Sequence, residues 1–137
     1  MAILYLDSGV LIEAAHVSGK LHDKAAKILL SKADEFIASE WLRLEVLGQP
    51  LHHRREPEVA FYEGYFQTAH HWPPELALKH WTDLALAEMK QQGLKSLDAL
   101  HVVAASLCKA DRLITTERRM KSLHRTKTVK VVSLNDA

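Results

Sequence analysis

Short apolar runs alternate with longer amphipathic ones along this chain, and the alternation predicts its layers. Residues 2–6 (AILYL) are an unbroken apolar run rich in strand formers, ending at Asp7. Such a run, without polar alternation, suits a strand buried on both faces. Residues 8–16 (SGVLIEAAH) predict a helix, and residues 22–33 predict another with Ala25, Ile28, Leu29 and Lys32 at helical spacing. EFIAS (35–39) predicts a second short strand, and SEWLRLEVLGQ (39–49) a helix closed by Gly48 and Pro50. Residues 56–71 predict a helix that starts at Pro57 and is broken by HWPPE. A long amphipathic helix is predicted over 74–93, with Leu76, His80, Leu84 and Ala87 near one face and Gly93 as its stop. The next helix, from Ser96 as N-cap, is apolar on nearly every side through Leu97, Leu100, Val102, Val103, Ala104, Ala105 and Leu107. It is therefore expected to be buried on most faces. RLITT (112–116) predicts a third strand, 117–124 a short helix and VKVVSL (129–134) a fourth strand.

Buried apolar strands separated by helices imply an α/β fold with a parallel sheet covered on both faces. Such sheets place ligands beyond the carboxyl ends of their strands. The 137 residues suit one domain spanning 1–137 with a full core. No internal repeat or linker interrupts them, and Pro73-Pro74 reads as a turn within the domain.

Composition narrows the class. With 47% hydrophobic and 26% charged residues, long disorder is excluded. The net charge of +1 carries no nucleic-acid signature, but the stretch from Lys109 to Lys130 is locally basic. There Lys109, Arg112, Arg118, Arg119, Lys121, Arg125, Lys127 and Lys130 are opposed only by Asp111 and Glu117. On charge alone that run reads first as a solvated basic face and second as a phosphate-contacting surface. Cys108 is the only cysteine, which rules out an internal disulfide and a CxxC zinc site. It is expected to be a small core residue. The start lacks a basic region before its apolar stretch, and no run approaches the ~20 apolar residues of a membrane span. A soluble cytoplasmic protein, not associated with membranes, is expected. His52-His53 and His70-His71 are poor chelators, because adjacent helical residues point about 100° apart; both pairs are expected at the surface or in turns. No GxGxxG, P-loop or GxSxG pattern occurs.

Four carboxylates carry the candidate chemistry. Asp98 is set into the start of the apolar helix, where it either serves as a first-turn acid favoured by the helix dipole or pairs with something else. Asp7 ends the first strand and also suits an N-cap. Glu45 falls between Trp41 and Leu42 on the helical wheel, with Leu44 close by, inside the apolar stripe; Arg43 points the opposite way. Glu117 follows the third strand, where it also fits a first-turn acid of the short helix. In a parallel sheet all four can converge on one crevice. Four carboxylates in one pocket repel one another, and a divalent cation removes that strain. Oxygen ligands without a Cys–His cluster favour Mg²⁺ or Mn²⁺ over zinc. Such a site suits phosphodiester hydrolysis.

LKSLDALHVVAASLCKADRLITTERRM, with ILYLDSGVLIEA and SEWLRLEVL before it, resembles the PIN-domain family, in particular its small VapC-type toxins. The likeness runs from Ile3 to Val132. It implies a three-layer α/β/α sandwich with a short, mostly parallel central sheet and a Mg²⁺- or Mn²⁺-dependent ribonuclease site. The catalytic, metal-holding acids would be Asp7, Glu45, Asp98 and Glu117. Asp7 and Asp98 hold the principal ion in this reading, Glu45 shares it directly or through water, and Glu117 supports a second ion or positions water. Ser8 and Thr115 match hydroxyl positions flanking the site, and His101 matches a common histidine read as structural. The resemblance also implies a homodimer and a cognate antitoxin whose tail covers the acidic groove. Arg118 and Arg119 are the foremost candidates for RNA contact. Two positions depart from the pattern: Glu117 stands where Asp is usual, and Gly9 where Asn or Ser is common. They leave open a PIN-like RNA- or protein-binding module without catalysis, and more distantly a metal-dependent phosphatase on a similar sheet.

Overall fold

A computed structural model describes residues 1–16 and 19–135. The elements run β1 (Ile3–Leu6), α1 (Ser8–Ala15), α2 (Lys20–Leu29), β2 (Glu35–Ile37), α3 (Glu40–His52), α4 (Glu56–Thr68), α5 (Leu78–Gln92), α6 (Ser96–Leu107), β3 (Arg112–Thr115) and β4 (Val131–Ser133). A short 3₁₀ turn, Ser122–Arg125, precedes β4. The four strands form a wholly parallel sheet in the order β2-β1-β3-β4.

The unalternating strands do what their sequence requires and bury both faces. Leu4, Leu6, Phe36 and Ile114 turn one way, onto Val10, Leu11, Ala25, Leu42, Val46, Tyr62, Tyr65 and Phe66 of α1–α4. Tyr5, Ile37 and Leu113 turn the other way, onto Trp81, Ala85, Val102, Val103 and Ala105 of α5 and α6. The result is the expected three-layer α/β/α sandwich. The chain moves from β1 outward to β2, then returns through α3–α6 to lay β3 on the opposite side of β1. Strand order thus reverses between β1 and β3, and ligands of open α/β sheets bind in the crevice at such a reversal.

Several local expectations need correction. Helix α3 does not stop at Gly48 but runs through Pro50 to His52. Pro50 is buried in the last turn, where its missing N–H forfeits one helical bond. The helix closes at Arg54, which takes φ +54°. The Arg54 N–H reaches the Leu51 carbonyl at 3.3 Å and the Arg55 N–H the Pro50 carbonyl at 2.9 Å, a Schellman closure without glycine. Helix α6 closes the same way on Lys109, at φ +56°. In both, a cation sits at the negative end of the helix dipole, which offsets part of the left-handed strain. Helix α5 begins at Leu78, and its buried face is Trp81, Ala85 and Glu88; His80 and Ala87 are exposed. Ser96 is the first helical residue of α6 rather than its cap, which is Lys95. Residues 117–121 are not helical.

Polar contacts brace the layers. Glu88 accepts hydrogen bonds from the Thr126 hydroxyl (3.3 Å) and the Thr128 hydroxyl, tying α5 to the loop before β4. His70 Nδ1 accepts the Phe36 N–H at 3.0 Å, and His71 Nε2 lies 2.7 Å from Glu35 Oε1, so this histidine pair fastens its loop to β2. His52 and His53 are exposed. Burial pushes the Cys108 thiol up to about 11, as suits an inert, half-buried cysteine. Among the described residues no helix is long and apolar enough to cross a membrane.

Candidate metal centre

The crevice is built around Asp7. It ends β1 and caps α1, with φ −64° and ψ 160°. Both of its oxygens are held: Oδ1 accepts the Ser8 N–H at 2.8 Å and Oδ2 accepts the Thr115 hydroxyl at 2.9 Å. Thr115 is fully buried at the end of β3, and its Oγ1 accepts the Glu117 N–H at 3.0 Å. The Asp7 N–H donates to the Ile114 carbonyl at 2.9 Å. The two strand ends at the reversal are therefore laced together through backbone and side chain.

Gly9 has a steric reason. A methyl group on it would lie 2.1 Å from Thr116 Oγ1 and 3.3 Å from Thr116 Cβ. The missing side chain lets the first turn of α1 press against the segment leaving β3. Gly9→Ala is expected to cost about 1–3 kcal/mol by overpacking, and adding Thr116→Ala should recover part of that loss. Urea unfolding of the single and double variants measures both.

Glu45 projects inward from α3, as the helical wheel predicts, while its neighbour Leu44 is 71% exposed. Its Oε1 is hydrogen-bonded to His101 Nε2. His101 is buried on α6, and its Nδ1 meets the Tyr5 hydroxyl. Tyr5 in turn lies 2.7 Å from Ser39 Oγ, and Ser39 caps α3 by accepting the Leu42 N–H at 3.2 Å. Burial holds the Tyr5 phenol well above its ordinary value, so it stays neutral. A carboxylate oxygen only accepts, so His101 Nε2 is the donor to Glu45. The chain of bonds begins and ends on α3 and fixes the imidazole at both nitrogens.

Asp7, Glu45 and His101 each place a ligand atom within 4.8 Å of the others. His101 Nε2 is 4.0 Å from Asp7 Oδ1. Asp98 lies beside this set in the first turn of α6, half-buried. Burial lifts its carboxyl above the usual range; Asp7 adds to the lift, His101 opposes it, and Glu117 and Glu45 add further. Asp7 is also raised, first by burial, against the pull of His101 and the bonds from Thr115 and Ser8, with Glu45 adding to the lift. Glu117 is exposed at the rim, outside the tight set but within electrostatic reach of Asp98. Ser8 serves through its backbone N–H, not its hydroxyl. Arg118 and Arg119 are exposed just after Glu117.

Tyr5 and Ser39 were not anticipated as site residues, and His101 was expected to be merely structural. The available signal was a tyrosine in a strand buried on both faces, whose hydroxyl must find a partner.

This donor set fits a hard divalent cation. Two carboxyls raised first by burial and further by neighbouring carboxylates are the arrangement such a cation relieves. The ion-sized set is Asp7, Glu45 and His101, and Asp98 lies outside it among the described residues; carboxylate oxygens suit a hard cation. His101, with both nitrogens engaged, fits as the group that orients Glu45 rather than as a ligand.

No protein-family model matches the chain. No curated protein matches it in sequence. Among solved structures, a chain of VapBC2 from Rickettsia felis, crystallised bound to a DNA fragment from its promoter, superposes with a TM-score of 0.67. It is 15% identical, and the match covers 97% of this chain and 99% of that one. At that identity the likeness shows the fold, which is PIN-like.

Proposed function

We propose that this chain is a Mg²⁺/Mn²⁺-dependent endoribonuclease, the toxin of a toxin–antitoxin pair. The observation that carries the reading is the meeting of Asp7 and Glu45, with Asp98 and Glu117 beside them, at the strand-order reversal of a PIN-like fold. Asp7, Asp98 and Glu45 would hold the principal ion, with Glu117 at the rim. When bound, that ion supplies positive charge to the scissile phosphate and lowers the pKa of water.

The protein's own groups do the rest. The Thr115 hydroxyl and Ser8 N–H fix the Asp7 carboxylate. His101 donates to Glu45 and holds its head toward Asp7. Arg118 and Arg119 stand where they would contact the RNA backbone, and the basic residues that follow strengthen the field there. A cognate antitoxin is the partner in this reading, supported by the likeness to a chain of VapBC2, and the toxin would act as a homodimer in the cytoplasm.

The test is labelled single-stranded RNA incubated with pure protein and Mn²⁺, then with excess chelator. Cleavage that needs Mn²⁺ and stops with chelator is expected. The positions of Glu117 and Asp98 outside the ion-sized set favour the second reading, a binding module with weak or no catalysis. RNA binding without metal-dependent cleavage would establish that reading, and hydrolysis of small phosphomonoesters alone would indicate a phosphatase.

A further inference from the structure

All three tryptophans of the chain line one open groove of about 510 Å³. It lies where the chain leaves β2, outside the carboxyl end of that strand, with Ser39, Glu40 and Trp41 in one wall. Strand β2 pairs in parallel with β1, so the groove opens at the same end of the sheet as Asp7, one strand further from β3. Its indoles are held within the fold. Trp41 and Trp81 meet edge to face, with ring centres 5.4 Å apart. Trp72 leans on Phe66 with 6.2 Å between ring centres, yet is 41% exposed. The backbone just before it is pinned to the outer edge of β2, where the Ala38 N–H donates to the His71 carbonyl at 2.9 Å. Pro73 and Pro74 stiffen the chain just after it. The charged groups in the wall are two carboxylates. Glu40 is paired with Arg43 at 2.9 Å. Glu75 is exposed and has no ion pair or hydrogen bond among the described residues.

We propose that this groove is a guanine-binding subsite for single-stranded RNA, with Trp72 as the stacking surface and Glu75 as the group that selects the base. Single-stranded RNA is read by stacking its unpaired bases on aromatic side chains and hydrogen-bonding their Watson–Crick edges. Carboxylates repel phosphate and accept from N–H donors, so the part of a nucleotide that suits this groove is the base. Among the four RNA bases, guanine alone carries two parallel N–H donors on that edge, N1–H and the N2 amino group. An ionised carboxylate has two oxygens to receive them. Adenine and cytosine offer one amino group beside a ring nitrogen whose lone pair the carboxylate repels. Uracil offers one N–H between two carbonyls. The strand order supplies the path. Arg118 and Arg119 follow β3, the acidic cleft lies between β3 and β1, and the groove lies beyond β2. Trp41 stands one helical turn before Glu45 on α3, where side chains four apart are neighbours. A strand that runs from the arginines past the cleft therefore brings a neighbouring base to the groove. Recognition of guanine stands on the groove alone; that it fixes where the strand is cut rests on the nuclease reading.

The test uses the full chain labelled with ¹⁵N, whose three indoles all line the groove. Chelator is present, so no strand is cut. The probes are short RNAs of uridine with a single central guanine, hypoxanthine or adenine. The guanine strand is expected to move the indole signals saturably and to bind about tenfold tighter than the adenine strand. Hypoxanthine keeps N1–H and lacks the N2 amino group, so its strand should fall between the two. Both residues to be changed are exposed, so their variants are expected to fold. Trp72→Ala should weaken binding of the guanine strand by roughly tenfold or more. Glu75→Gln should bring the guanine and adenine strands to within about twofold of each other. Unresponsive indoles, equal affinity for guanine and adenine strands, or a guanine preference that survives Glu75→Gln would overturn the proposal. Repeating the titrations with Mn²⁺ separates the two readings. Guanine-selective binding without cleavage sinks the nuclease reading alone. Cleavage indifferent to the guanine, with the indole signals unmoved, sinks the guanine subsite alone.

Discussion

Replacing Asp98 with Asn is expected to lower metal-dependent RNA cleavage by about 10²- to 10³-fold. The same change should raise the melting temperature of the metal-free protein at neutral pH. The two effects share one cause. The Asp98 carboxyl has no hydrogen bond or ion pair among the described residues. Burial raises it above the usual range, and Asp7, Glu117 and Glu45 add to the lift against His101. A group whose folded value is raised contributes stability that is complete below its unfolded value, about 3.9 for Asp. That contribution is lost as pH rises through the folded value. Asn has nearly the same shape and carries no charge. The stability gap between variant and parent should therefore be absent in acid, open as pH climbs through the raised carboxyl range, and persist at neutrality. Mn²⁺ should narrow it by stabilising the parent. Thermal melts across pH, with chelator and with Mn²⁺, measure the gap. A variant less stable than the parent at neutral pH without metal would refute the electrostatic account, and undiminished cleavage would refute the role.

His101→Ala should cost about 2–4 kcal/mol of folding stability. The imidazole is 1% exposed, so its removal leaves a cavity between β1, α3 and α6. It also leaves the Tyr5 hydroxyl, itself fully buried, with Ser39 as its one remaining partner among the described residues. Tyr5→Phe, which removes only the hydroxyl, should cost less, about 1–2 kcal/mol. Cleavage by folded His101→Ala should fall about 10- to 100-fold because Glu45 loses its orienting donor. His101→Gln can still donate to Glu45 and should restore part of the activity. Restoration of cleavage without full restoration of stability separates positioning from packing. Urea unfolding and RNA cleavage on the same samples provide the two readouts.

Much of this arrangement was legible because the decisive features are local. AILYL announces a strand covered on both sides, and its abrupt end in a charge marks Asp7 as the mouth of a crevice. Glu45 betrays itself by lying among apolar neighbours on one helix. The register of α5 was harder: Pro73-Pro74 is followed by three more non-helical residues, so a helix begun at residue 74 turns His80 and Ala87 inward by mistake. The pairing of Glu45 with His101 was not readable at all, since 56 positions separate them. A helical wheel tells which side a residue faces, but not which distant helix faces it. Gly9 shows the same limit from the other direction. As one letter it reads only as a departure from a family pattern, whereas Thr116, more than a hundred positions away, crowds the space a side chain there would take.

The strand order has a consequence for how the protein is made. During synthesis Asp7, Glu45 and Asp98 all leave the ribosome before β3, the strand whose Thr115 clasps Asp7 and whose insertion beside β1 closes the cleft. A partly translated or prematurely terminated polypeptide carries the acids without the wall that aligns them. The cleft is thus assembled only once β3 has been made.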